Sequence, residues 1–197
     1  LPPEPGPDKN LGWDWRVAHG ENWMTPVESQ GGCGSCWAMA TTGAVEALIN
    51  VYYNQHINAD ISAQHTMCNH APGCDGGCYA DVFSDLTNDG LVDEACLPYA
   101  AQDGVCDLCS DYQSRLWKIT SSDGSCRSVI GGISDDDISL KKNIKNIGPL
   151  KMGIDSWYHA MIFAGYDHDY AYNTIWIIKN SWGTDWGEDG YIRIRGL

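Results

Sequence analysis

Basic side chains are scarce: 12 lysines and arginines stand against 26 aspartates and glutamates, a net charge of -14. A nucleic-acid binder needs a basic footprint to displace counterions, so DNA and RNA are excluded as partners, and anionic membranes are disfavoured for the same reason. No run of 18 apolar residues occurs, so no helical membrane span is expected. The opening "LPPEPGPDKN" has no Met, no basic segment and no apolar stretch of the kind a signal peptide carries. Any such leader is expected to have been removed or never to have belonged to this chain. No internal repeat is visible, which argues against a repeat array.

Cysteine is what the chain has in excess. Nine of them, at 33, 36, 68, 74, 78, 96, 106, 109 and 126, exceed what a reducing compartment calls for and point to a disulfide framework in an extracellular or luminal setting. The odd count leaves at least one thiol unpaired. At 197 residues the chain has room for one large domain or two small ones sharing an interface.

Along the chain, residues 1–11 read as an extended arm, with four prolines in the first seven positions. Residues 12–115 read as a mainly helical lobe. Within it, Trp37, Ala44, Val45, Leu48, Ile49 and Tyr52 recur at helical spacing, which predicts a helix from about Cys36 to Tyr53; shorter helices are expected near 62–68 and 78–89. Residues 116–197 read as a β-rich lobe, with strands expected in "RLWKIT", "RSVIGGI", "HAMIFAGYD", "TIWIIKNSW" and "GYIRIR". A helix is expected in "DDDISLKKNIKNIG", with Leu140, Ile144 and Ile147 on one face and its three aspartates as a solvated start.

The segment "QGGCGSCWAMA" sets Cys33 and Cys36 three apart at the mouth of the long helix. One reading is zinc held by Cys33, Cys36, Cys106 and Cys109; the wide gap between the pairs and the surplus of oxidisable cysteines weigh against it. Another is a redox pair of the thioredoxin type, but no strand precedes the motif and the βαβ context is missing. A third is a nucleophile at a helix N-terminus beside a disulfide anchor, which requires a histidine and an orienting group elsewhere in the chain. "YHAMIFAGYD" supplies His159 at the head of a strand, and "WIIKNSWGTDWGEDGYIRI" supplies Asn180 at the end of another. His168 lies in a polar turn, and His19, His56, His65 and His70 lack an apolar strand context, so all five read as surface residues.

Taken in order, "PVESQGGCGSCWA", "CDGG", "HAMIFAGY" and "KNSWGTDWGEDGYIRI" resemble the papain family of cysteine proteases from about Trp13 to Arg195, with a cysteine spacing most similar to cathepsin X within it. The resemblance implies an α+β, papain-like two-lobe fold, a helical left lobe and a β-barrel-like right lobe with the active site in the cleft between them. It implies Cys36 as a thiolate paired with protonated His159, Asn180 orienting the imidazole, Trp182 shielding that contact and Gln30 donating to the oxyanion. Gly76 and Gly77 would offer backbone to an extended substrate, with Cys78 and Ala160 also at the substrate. The implied disulfides are Cys33–Cys74, Cys68–Cys106 and Cys96–Cys109, and pairing the remaining Cys78 and Cys126 is a guess. No metal and no cofactor are implied. Expected partners are polypeptide substrates and an inhibitory propeptide, with neither nucleic acid nor membrane, for a monomer that is secreted or held in a lysosomal or vacuolar lumen.

Only nine residues separate Gly148-Pro149 from His159, fewer than relatives carry there, so the cleft is expected to be more open. Exopeptidases of the family close one end of the cleft with an inserted loop. Between Val27 and Cys33 there is no room for one, and "CLPYAAQDGVCDLC" has no histidine to present, so endopeptidase action is expected. The alternative is a catalytically disabled binding protein, or an acyl-transferase, on the same fold.

Overall fold

In the computed structural model of the protein, residues 12–69, 73–76, 81–120, 128–129 and 138–195 are described. The N-terminal arm, the aspartates at 135–137 and His70 lie outside them.

The first long element is α1, Cys36–Tyr53, whose residues are buried without interruption from Cys36 to Ala47. A helix buried on every side lies in the middle of a protein rather than on its surface. Small residues make this possible: Gly43 lies so close to Ile162 that a Cβ there would come within 2.9 Å of the Ile162 Cδ1. The helix stops at Asn54, which turns left-handed (φ 51°) and returns its amide to Asn50 and Val51. Around α1 lie α2, Ala63–Asn69, and α3, Asp81–Asn88.

The second half is a sheet. Its strands are β1, Trp13–Asp14; β2, Ser128–Val129; β3, Leu150–Ile154; β4, His159–His168; β5, Thr174–Lys179; and β6, Tyr191–Arg195. The order is β2-β3-β4-β5-β6, antiparallel throughout except for the parallel β2–β3 pair, with β1 added to β4. The residues of β4 are buried from His159 to Tyr166, as expected of a strand packed on both faces. Gly165 is required where β1 crosses, since a Cβ there would lie 2.2 Å from the Trp13 carbonyl oxygen. The last helix, α4, Ile138–Asn146, packs on β4 through Leu140 and Ile144.

A single apolar core joins α1 to the sheet, with Trp37, Met39, Ala44, Phe163, Trp176 and Ile178 among its members. Among the described residues, three disulfides staple the helical half: Cys33–Cys74, Cys68–Cys106 and Cys96–Cys109, closing 41, 38 and 13 residues of chain respectively. Loops of these lengths correspond to roughly 3–4 kcal/mol each in the chain-entropy account.

Five expectations need correction. The sheet does not close into a barrel among the described residues, because β2 and β6 end its path unpaired with each other. "RLWKIT" forms no strand of the sheet; Trp117 instead exchanges both backbone bonds with Leu91, and the Ile119 amide donates to Leu86, so the segment packs against α3. Ile147 lies beyond the end of α4 and is exposed. His65 is buried on α2, where its Nδ1 accepts from the Val92 amide at 3.1 Å, a bond that satisfies a buried donor and explains why an imidazole sits in the interior. His168, too, is half-buried rather than exposed, at the end of β4 beside Lys141.

Candidate active site

Cys36 is the first residue of α1, and its thiol is buried and unpaired, the only free cysteine among the described residues. The neighbouring cysteines are consumed elsewhere. Cys33 is bonded to Cys74, Cys106 to Cys68 and Cys109 to Cys96, so the four cysteines of the zinc reading cannot ligate together and Cys33 cannot form a redox pair with Cys36. Gly34 makes the first turn possible: its amide donates to the Cys74 carbonyl at 2.8 Å, and a Cβ in its place would lie 2.4 Å from that same oxygen.

The sheet brings β4 up against this helix end. The amide of Ala160 donates to Cys36 Sγ at 3.4 Å, which sets the start of β4, where His159 stands, against the head of α1. His159 Nε2 lies 2.6 Å from Asn180 Oδ1. The same Oδ1 accepts from the Ser181 amide at 2.8 Å, which identifies it as the carbonyl oxygen of the side chain. An oxygen can only accept, so the imidazole must carry a proton on Nε2, and Nδ1 is the nitrogen left for the thiol. Burial lowers the His159 pKa, and the bond to Asn180 pulls it back up. Trp182 covers this pair, with ring centroids 4.7 Å apart, and is itself braced edge-on by Trp186.

Gln30 enters from the other side. Its backbone amide donates to the Ser181 carbonyl at 2.8 Å, its Oε1 accepts from Ser181 Oγ at 2.8 Å, and its Nε2 donates one proton to the Cys33 carbonyl at 2.8 Å. One N–H of the side-chain amide is left over for a further acceptor. The carbonyl of Gln30 accepts from Tyr99 Oη at 2.9 Å. Further along, Ser29 pairs with Trp182, and the Gly183 amide donates to the Glu28 carbonyl. A short antiparallel bridge therefore ties the Gln30 segment to the Asn180 segment. Ser181 lies at its centre, and nothing in the sequence pattern distinguished it from an ordinary loop serine.

Behind Asn180 and Ser181 is a small cavity lined by Glu28, Glu46, Lys179, Met39 and Gly43. Lys179 is buried and donates to Thr25 Oγ1 at 3.2 Å; burial lowers its pKa, opposed by Glu46 and then Glu28. Glu46 accepts from the Ile61 amide at 2.7 Å, and its carboxyl is raised by burial, with Lys179 opposing. Glu28 is pushed up to about 7, by burial first and then by Glu46, again against Lys179. Lys151, on β3, is a further charge that the sequence pattern did not single out. Burial lowers its pKa and the proximity of Cys36 raises it.

Of the residues expected at the substrate, Gly76 adopts φ +84°, a conformation open to glycine, Ala160 lies at the thiol and Trp182 at the imidazole. Gly77, Cys78 and Cys126 lie outside the described residues, and with them the Cys78–Cys126 pairing. Among the described residues, no group of three His, Cys, Asp or Glu side chains is placed to hold a metal ion, and no helix is long and apolar enough to cross a membrane.

Comparison with known proteins agrees with this geometry. The profile described as "Papain family cysteine protease" matches residues 10–196. A viral cathepsin of Adoxophyes honmai nucleopolyhedrovirus is 36% identical, covering 98% of this chain and 59% of the relative. Cathepsin K of Gallus gallus is 30% identical, covering 91% of this chain and 57% of the relative. Among solved structures, digestive procathepsin L2 proteinase from the larval midgut of Tenebrio molitor superimposes with a TM-score of 0.74 at 26% identity, over 94% of this chain and 62% of that one. The chain thus spans about six-tenths of the length of the curated relatives it matches.

Proposed function

Since this chain belongs to the papain family of cysteine proteases, we propose that it hydrolyses peptide bonds within polypeptides, with Cys36 as nucleophile, His159 as acid and base, Asn180 as the orienting group and Gln30 as oxyanion donor. The observation that supports this reading is the pair of hydrogen bonds at Ser181, which hold the Gln30 and Asn180 side chains from one residue, together with the Ala160 amide, next to His159, on the Cys36 sulfur.

In this reading Cys36 and His159 form a thiolate–imidazolium pair. The sulfur attacks the peptide carbonyl carbon, and the negative charge that develops on oxygen is met by the free N–H of Gln30 and by the backbone at the head of α1. His159 gives its Nδ1 proton to the departing amine as the C–N bond breaks, leaving a thioester on Cys36. Water then attacks the thioester carbon, its proton passes to His159 and the thiolate leaves with the acid product freed. Asn180 holds the Nε2 proton throughout, and Trp182 keeps water from competing for it.

Residues 12–115 and 116–197 would form the two walls of the cleft, with an extended substrate between them near Gly76 and Gly77. With no inserted loop before Cys33 and only a short hairpin tip at 155–158, both ends of the cleft would be open, which favours internal cleavage. The solved relatives are proforms, and a removable inhibitory propeptide, a secreted or lysosomal setting and a monomeric enzyme fit the same reading.

Two measurements test it. Brief alkylation at about pH 5, followed by peptide mapping, should label Cys36 alone and abolish hydrolysis, because disulfide-bonded cysteines are inert. A peptide blocked at both termini should be cut internally. Stepwise loss of one or two residues from an unblocked peptide, with the blocked form untouched, would replace the endopeptidase reading by an exopeptidase one.

A further inference from the structure

His65 stands on α2 with only 9% of its surface exposed. Its Nδ1 accepts from the Val92 amide, so the proton of the imidazole is on Nε2. Adding a second proton at Nδ1 would turn one N–H against another, and burial also lowers the His65 pKa, with Asp85 opposing. The ring is therefore a fixed, neutral donor. Its Nε2–H meets no acceptor among the described residues and, unlike Asn180 Nδ2, is not sealed among buried atoms.

His65 lines a second cavity, of about 570 Å³, which shares no residue with the site at Cys36 and has the size of a small-ligand pocket. Asp85, on α3, and Asp89, just past its end and exposed, bring two carboxylates to it, and Leu108, Tyr112 and Leu116 give it an apolar wall. That wall is braced from behind. The same three side chains pack on the buried Val92, Cys96 and Leu97, and their segment is held by the Cys96–Cys109 disulfide and by Arg115 Nε donating to Asp93 Oδ2 at 2.9 Å. His65, Asp85 and Asp89 are not placed to hold a metal ion together. Their chemistry asks instead for an organic ligand with three features: a positive charge for the carboxylates, an acceptor for the neutral N–H and an apolar body for the wall. A peptide amino terminus joins all three in one residue, since its ammonium and its first carbonyl flank the carbon that carries the side chain.

We propose that this cavity binds the amino terminus of a peptide whose first side chain is apolar, with the ammonium at Asp85 and Asp89, the first carbonyl on His65 Nε2–H and the side chain against Leu108, Tyr112 and Leu116. A free amino acid fits less well, because it brings its own carboxylate to two others of the same sign. Internal cleavage at Cys36 would produce such termini, but the binding does not depend on that reading.

The test uses the full chain alkylated at Cys36, so that a probe is neither cut nor drawn to the thiol. Isotope-labelled protein is titrated at about pH 6.5, where the carboxylates are ionised and the amine is protonated, and the His65 imidazole and Val92 amide resonances are followed. Leucine amide should bind saturably, near ~1 mM for so small a ligand, and shift both signals together. N-acetyl-leucine amide, which keeps the side chain and carbonyl without the charge, should bind about tenfold more weakly. Isopentylamine, which keeps the charge and side chain without the carbonyl, should lose about three- to tenfold, the range of one hydrogen bond, and leave the Nε2–H signal in place. Asp85→Asn and Asp89→Asn should each weaken leucine amide about two- to fivefold. Leucine itself should bind more weakly than its amide, and leucyl-glycyl-glycine amide about as well.

Absence of a saturable shift at His65 with leucine amide would overturn the proposal, as would equal binding of the acetylated or the carbonyl-free probe. So would an unchanged affinity in both aspartate variants. Should those variants fail to fold, the probe series decides alone, since it alters only the ligand. Binding of leucine amide with exclusion of the tripeptide would also overturn it, because a peptide terminus must carry its chain out of the cavity.

Discussion

Replacing Glu28 by glutamine should make the protein more stable at neutral and alkaline pH and leave it unchanged in acid. Glu28 sits at the end of the bridge that holds Gln30, with Glu46 and Lys179 around the same cavity and the charges of Glu94 and Asp60 also acting on it. Two carboxyls there face one buried ammonium, and burial together with Glu46 pushes Glu28 up to about 7 from an ordinary 4.5. A carboxyl whose pKa is higher folded than unfolded costs nothing below about 4.5, where both states hold the proton. Stability is then lost as the pH rises through 7 and the folded state must give that proton up. At ~1.4 kcal/mol per pH unit the gap sets a ceiling of ~3.4 kcal/mol. Glu28 is only partly buried and titrates together with Glu46, so ~1–2 kcal/mol is the working figure. For a chain of this size that is a melting-temperature difference of roughly 2–8 °C. The assay is thermal or urea unfolding of wild type and Glu28→Gln, both alkylated at Cys36 to prevent self-digestion, at about pH 4 and about pH 8. Curves that coincide in acid and separate in favour of the variant at the higher pH are expected. A variant that is less stable at the higher pH, or a difference that does not change with pH, would refute the reasoning.

The remaining expectations concern turnover. Cys36→Ala and His159→Ala should each remove nearly all hydrolysis, and Asn180→Ala less, because the imidazole persists with its orientation loosened; steady-state kinetics on one peptide ranks them, and a mild His159→Ala beside a lethal His168→Ala would reverse the assignment. Gln30→Ala should lower kcat by ~10²–10³ with little change in KM, since its spare N–H acts on charge that exists only in the transition state. Ser181→Ala removes the hydroxyl on Gln30 Oε1 while the backbone bond to Asn180 Oδ1 survives. It should therefore lower kcat by about tenfold, the scale of one hydrogen bond, and leave the His159 tautomer untouched; a loss as deep as that of Gln30→Ala would mean the bridge itself had collapsed.

The elements that carry the candidate site were legible in the sequence because they depend on residue type and local order. Periodicity locates the helix that Cys36 opens and the strands beside His159 and Asn180, since side chains sharing a face recur at 3.6 or 2 residues, while the roles of these residues and of Gln30 come from the resemblance of their motifs to the papain family. The span of α1, the existence of β4, β5 and β6, and the acidic charge balance are determined at that level. Three things were decided only by the tertiary structure. Ser181 matters because it meets Gln30 across 151 residues, and no local pattern encodes a hydrogen bond over such a distance. His65 looked like a surface residue until α2 brought it to a buried amide that needed an acceptor. Trp117 carried the β propensity of a sheet strand, yet the loop after the disulfides delivers it to Leu91, because propensity selects an extended backbone and leaves the partner to be chosen by where the chain has already packed.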